Sequence, residues 1–127
     1  MKLLLDTHVW IWALLEPVRL PARVSRELIS PQNERWLSPM SVWEVLLLCE
    51  KNRLALRPDP WSWIHSALLI EAPFDYSVAQ EAGRVKLTHR DPVDRFLVAT
   101  ARVYGLTLVT ADERLLEIPD LKVLAAR

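Results

Sequence analysis

Short apolar runs alternate along this chain with longer stretches that read as helices, and most of the breaks between them are marked by proline. Leu3-Leu4-Leu5 and Trp36-Leu37 are apolar throughout, and the segment from Leu106 to Val109 is apolar but for Thr107, as strands covered on both faces should be. The pattern predicts strands over 2–6, 35–38, 72–75, 106–110 and 121–125, and helices over 8–15, 21–30, 41–51, 60–71, 77–86, 92–104 and 112–117. Strands alternating with helices imply an α/β fold, a short-stranded and mainly parallel sheet with helices on both faces.

Punctuation agrees with these boundaries. Gly105 follows the helix that ends at Tyr104 and is expected to be its left-handed cap, and Asn52 is expected to do the same for the helix that ends at 51. Helix 8–15 is apolar nearly all round, and helix 60–71 repeats the theme with Trp61, Trp63, Ile64 and Leu68. Helices of that kind are buried or face a partner. Six tryptophans in 127 residues favour the second reading for some of them, with Trp12 and Trp63 as candidate interface anchors for an apolar partner segment or a homodimer.

Length and composition bound the function. The 127 residues make one domain, 1–127, with 51% hydrophobic and 25% charged residues. Cys49 is the lone cysteine, so neither an internal disulfide nor a cysteine-built metal site can form, as suits a reducing cytoplasm. No run approaches the roughly 18 apolar residues of a membrane span. Net charge is zero, so no overall field attracts nucleic acid. Arg84, Lys86, His89, Arg90 and Arg95 nevertheless crowd around Asp91 and Asp94, where basic residues flanking an acidic centre could hold a polyanion. His8, His65 and His89 lack zinc-ligand spacing, and two glycines leave no phosphate-cradling loop.

The chemistry rests on four acids. Asp6 follows the Leu-Leu-Leu strand, Asp112 follows the strand ending at Thr110, and Glu44 and Asp94 sit at helix starts. Each has a structural explanation. Ser41-Val42-Trp43-Glu44 spells a capping box, and Asp91-Pro92-Val93-Asp94 is an N-cap, a proline and an acid in the first turn. Asp112 follows Thr110-Ala111 with a second acid beside it, another helix start. Asp6 fits this account least well, because a carboxylate beside a buried strand is costly unless it is paired or bound to a cation. In a parallel sheet all four can meet beyond the carboxyl edge, where such folds bind ligands. An oxygen-only pocket of that kind suits a hard divalent cation.

Four segments carry a wider resemblance: Leu-Leu-Leu-Asp6-Thr-His, Ser-Val-Trp-Glu44-Val, His89-Arg-Asp-Pro-Val-Asp94-Arg-Phe-Leu-Val-Ala-Thr-Ala, and Leu-Val-Thr-Ala-Asp112-Glu-Arg. With these in order, the chain resembles the PIN-domain ribonucleases, and within them the VapC-type toxins of bacterial and archaeal toxin–antitoxin pairs. The resemblance implies a three-layer α/β/α PIN-like fold, Mg²⁺- or Mn²⁺-dependent endoribonuclease activity on RNA, and inhibition by a cognate antitoxin protein. Asp6, Glu44, Asp94 and Asp112 fall on the family's acidic quartet, and Asp91 matches its extra acid as a cap or outer-shell group. Thr7 and Thr110 are expected to orient the carboxylates, and Arg95 and Arg90 to contact phosphate or, for Arg95, to pair with Asp94. Leu48 departs from relatives that carry a basic residue one turn after the glutamate.

Two readings compete with this one. A receiver-like Mg²⁺-binding phosphoacceptor domain has similar length and layers, but it wants an acid pair after the first strand, where Thr7 and His8 stand, and an aspartate ending the third, for which Asp75 is a poor match. A catalytically silent PIN-fold binding module is the other, though all four acids are present.

Overall fold

The computed structural model describes residues 1–51, 60–87 and 91–127. Its sheet has five strands in the order β3-β2-β1-β4-β5, every neighbouring pair parallel. β1 (Lys2–Leu5) is central, between β2 (Glu34–Leu37) and β4 (Thr107–Thr110), with β3 (Ile70–Glu71) and β5 (Val123–Ala125) at the edges. The strand order reverses direction at β1, so the chain crosses over on both sides of the first strand.

Successive strand residues point to opposite faces, and the two faces build two cores. Leu4 and Leu108 pack with Val78 and Ala82 of α5 (Tyr76–Ala82) and with Leu97, Val98 and Ala101 of α6 (Pro92–Tyr104). Leu3, Leu5 and Val109 pack against Val9 and Trp10 of α1 (Thr7–Leu15), Val24 of α2 (Ala22–Ile29) and Val45 of α3 (Pro39–Glu50). The result is the expected α/β/α sandwich. Leu3, Leu4, Leu97 and Leu108 are completely buried, and each such side chain contributes about 1.5–3 kcal/mol of transfer free energy.

Gly105 takes φ 65°, as expected of the residue that ends α6. The cap expected at Asn52 lies outside the described residues. Several boundaries differ from the sequence reading, among them the end of α5, which stops at Ala82 and not at 86. α3 begins at Pro39, and its cap is Ser38, whose Oγ accepts from the Met40 amide at 3.1 Å. Proline at the first helical position sets that start, so the Ser41–Glu44 capping box does not exist. α4 (Pro60–Ser66) ends well before 71, because Leu68 turns to φ 52° and Ile70 pairs with Trp36 of β2. The third strand therefore precedes the predicted 72–75, and Asp75 instead caps α5, accepting from the Val78 amide at 3.0 Å. The last helix, α7 (Glu113–Leu116), and β5 are shorter than predicted, separated by a turn in which Asp120 has φ 58°. A single 3-10 turn at Pro17–Arg19 joins α1 to α2.

Candidate metal centre

β1 and β4 run side by side with Leu5 opposite Val109, so both strands deliver their next residues to the same edge of the sheet. The Asp6 amide continues the ladder, donating to the Val109 carbonyl at 3.0 Å. The Thr110 hydroxyl then donates to Asp6 Oδ2 at 2.6 Å while accepting from the Asp112 amide at 3.1 Å. One threonine thus fixes the orientation of the first acid and the backbone of the last. Asp6 is only 9% exposed. Burial pushes its carboxyl pKa up, opposed by the Thr110 hydrogen bond and the nearby His8, and assisted by the charge of Asp112.

Glu44 approaches from α3, in the second turn beyond the Ser38 cap. Its pKa is also raised, first by burial and then by the charges of Asp91 and Asp6, against a hydrogen bond to Thr7 and the charge of His8. Thr7 is fully buried and shares a 2.9 Å hydrogen bond with Ser41 Oγ, which ties the start of α1 to α3. α6 supplies two acids. Asp91 caps it, accepting from the Val93 amide at 3.0 Å, and Asp94 lies in its first turn, 7% exposed. Asp112 caps α7, accepting from the Arg114 amide at 2.9 Å.

Asp6, Glu44, Asp91, Asp94 and Asp112 line one cleft of about 280 Å³, and His8, Trp12 and Arg114 complete its walls. The quartet predicted from sequence is therefore gathered in one place, with Asp91 beside it. Capping and clustering are not alternatives here, since Asp91 and Asp112 do both. The donor set is oxygen-rich and fits a hard cation, which needs only one or two carboxylates and keeps much of its water. Among the described residues, no group of three or more acids or histidines stands close enough to grip an ion as the side chains lie. Part of the reason is visible at Asp112, whose carboxylate is engaged by the Arg114 guanidinium at 2.8 and 3.1 Å.

Arg95 departs from expectation. Its Nη1 donates to the carbonyls of Ala82 and Val85 at 3.1 and 2.6 Å, closing the C-terminal end of α5, so the guanidinium serves the joint between α5 and α6. Arg90 lies outside the described residues. The sequence reading did not single out Arg114, His8 or Trp12 as cleft residues. Arg114 was discoverable as the residue two after a cap, within side-chain reach of it. His8 and Trp12 are one helical turn apart on α1, the first directly after Asp6-Thr7. Trp12 lies under the Arg19 guanidinium at 4.3 Å, whereas Trp63 packs edge-on to Trp10 with ring centroids 5.8 Å apart, so the two candidate anchors have different surroundings. Asp75, the acid a receiver-like domain would use, caps α5 and hydrogen-bonds the Tyr104 hydroxyl, away from the cleft.

A five-stranded parallel sheet with acids gathered beyond the ends of β1 and β4 is the arrangement of PIN domains. A model of the PIN domain matches residues 3–121, and the chain belongs to that family. It is 33% identical over 115 residues to Ribonuclease VapC22 of Mycobacterium tuberculosis (strain ATCC 25618 / H37Rv), a match covering 88% of both chains. Among solved structures, VapBC2 from Rickettsia felis bound to a DNA fragment from their promoter superimposes with a TM-score of 0.70 at 17% identity over all of both chains. FitAcB from Neisseria gonorrhoeae gives 0.63 at 22% identity, covering 98% of this chain and 97% of that one. These structural similarities concern the fold.

Proposed function

We propose that this protein is a Mg²⁺- or Mn²⁺-dependent endoribonuclease acting as the toxin of a type II toxin–antitoxin pair in the cytoplasm. The observation that carries the reading is the convergence of five carboxylates on one cleft, among them a buried Asp6 whose carboxyl pKa is raised chiefly by that burial. The name of the 33% identical relative, a ribonuclease, supports the same activity.

Asp6, Asp94 and Asp112 would hold the cation, with Glu44 at the side of the cleft. Bound there, a divalent ion supplies Lewis acidity toward the attacking water and the scissile phosphate. Thr110 keeps Asp6 Oδ2 in place by its 2.6 Å hydrogen bond. Glu44, its basicity raised by burial and by neighbouring carboxylates, accepts the proton of the attacking water. In-line attack on phosphorus breaks the bond to the 3′ oxygen, which takes up a proton from solvent water and leaves as the 3′-hydroxyl of the upstream fragment, and the downstream fragment keeps the phosphate on its 5′ oxygen.

An antitoxin partner suits the opposite side of α1. Apolar pockets of about 330 and 170 Å³ flank α4, the larger lined by Trp10, Leu14, Leu28 and Leu69 and the smaller by Leu37, Val42 and Ile64. Such pockets accept the apolar anchors of an amphipathic helix. Trp43 and Leu46 on α3, 53% and 42% exposed, are the surface a homodimer would cover. No helix among the described residues is long and apolar enough to cross a membrane.

The test is cleavage of structured RNA in Mg²⁺ or Mn²⁺ against EDTA, beside Asp94→Asn. Chelation should abolish cleavage, and Asp94→Asn should lower kcat/KM about a thousandfold, several kcal/mol of lost transition-state stabilisation. Equal cleavage with and without chelator refutes the metal mechanism, and an inactive wild type leaves a PIN-fold binding module.

A further inference from the structure

Among the described residues, Arg114 is the arginine that lines the acidic cleft. The first turn of α7 sets its position. Asp112 accepts from the Arg114 amide at 2.9 Å, and the side chain folds back onto the same carboxylate, Nε to Oδ1 at 3.1 Å and Nη2 to Oδ2 at 2.8 Å. Both oxygens of a candidate metal ligand are thus engaged by a positive fork. The Arg114 side chain is 54% exposed, so it can leave Asp112 without stranding a buried charge, and exposed pairs of this kind cost little to open.

We propose that Arg114 is a phosphate-binding residue stored on Asp112 as an internal counter-ion, and that a divalent cation entering at Asp112 releases its guanidinium to the RNA backbone. This inference rests on the nuclease reading above. Three observations carry it. A cation placed on Asp112 stands against the positive charge of the guanidinium that already holds both of its oxygens, so the two oppose each other there. The cleft is walled by five acids and repels a polyanion unless positive charge stands within it. Arg95, one of the two arginines expected to supply that charge, is committed to the carbonyls of Ala82 and Val85, and Arg90, the other, lies outside the described residues. The planar fork now on a carboxylate is also the geometry that binds a phosphate bidentately.

The test uses Arg114→Gln and Arg114→Lys, with folding followed by circular dichroism. Calorimetric titration of RNA-free protein with Mg²⁺ should show Arg114→Gln binding the ion several-fold more tightly, because its competitor is gone. The KM for RNA should rise several-fold with a smaller change in kcat. The slope of log affinity against log salt should shrink by about 0.7, the value of one contact to a single-stranded phosphate. Arg114→Lys should recover part of the KM, having the charge without the fork. Unchanged Mg²⁺ affinity, or unchanged KM and salt slope, in a folded and active Arg114→Gln overturns the proposal and leaves a local helix-start ion pair. A wild type that neither binds Mg²⁺ nor cleaves RNA overturns the nuclease reading itself.

Discussion

Asp6 is a carboxylate whose burial costs stability and whose place in the cleft the proposed function would explain. Its ordinary pKa of 3.8 is raised in the fold, chiefly by burial. Between that value and the raised native one, the folded chain holds a proton that the unfolded chain has lost. Stability therefore falls as pH rises through this window, and the full deficit persists above it. Asp6→Asn removes the charge yet keeps an amide oxygen to accept from Thr110. In metal-free buffer the variant should melt higher than wild type at pH 7, with the gain fading as pH drops toward 3.8. Thermal melts across pH check this, and a variant less stable at neutral pH would mean that the carboxylate is already compensated. Thr110→Ala leaves Asp6 in place but unoriented, and a loss of about 10–100-fold in metal affinity is expected by calorimetry.

At the scale of elements, helix starts and stops place the acids. Asp91 and Asp112 reach the cleft because each caps a helix that begins just beyond the sheet edge, so local helix chemistry and site assembly use the same residues. Ser38 aims α3, and with it Glu44, toward Asp6. Gly105 ends α6 and turns the chain into β4. Its φ of 65° is strained for any residue with a Cβ, although nothing stands within 4 Å of where that atom would be. Gly105→Ala should then cost about 1–2 kcal/mol from backbone strain alone, measured by denaturant unfolding, with Mg²⁺ affinity unaltered. A larger loss accompanied by weaker metal binding would show that the α6–β4 joint also positions the cleft.

At the scale of the whole molecule, the proposed metal site bears on the stability of the fold. Acids gathered by crossovers on both sides of β1 repel one another at neutral pH, and an ion bound only by the native state must stabilise it by mass action. Millimolar Mg²⁺ should raise the melting temperature of wild type, by an amount growing with the logarithm of concentration, and Asp6→Asn should blunt that rise. A normal response in the variant would remove Asp6 from the metal site. The two apolar pockets share no lining residue with the acidic cleft, so the proposed partner surface and the proposed site would be separate.

The amino-acid pattern by itself determined the layer architecture. Doubly covered strands are apolar at every position, and Leu3-Leu4-Leu5 and Leu108-Val109 can be read as such without knowing what covers them. It also marked the cap at Gly105 and the acids themselves, since a charge directly after a buried strand has few inexpensive explanations. Tertiary structure decided what depends on contacts between distant segments. The end of α4 was hidden because Leu68 to Ile70 continue an apolar helical run, and only pairing with β2 draws Ile70 into a strand. The capping box at Ser41 failed because Pro39 starts α3 earlier, which leaves Ser41 inside the helix, where its hydroxyl accepts from Thr7, 34 residues away. The surroundings of Arg95 were hidden for a similar reason, because the carbonyls that hold it belong to the end of α5 and the turn that follows. Local preferences are set within a few residues, whereas the direction of a side chain in the folded protein is set by neighbours that sequence spacing does not name.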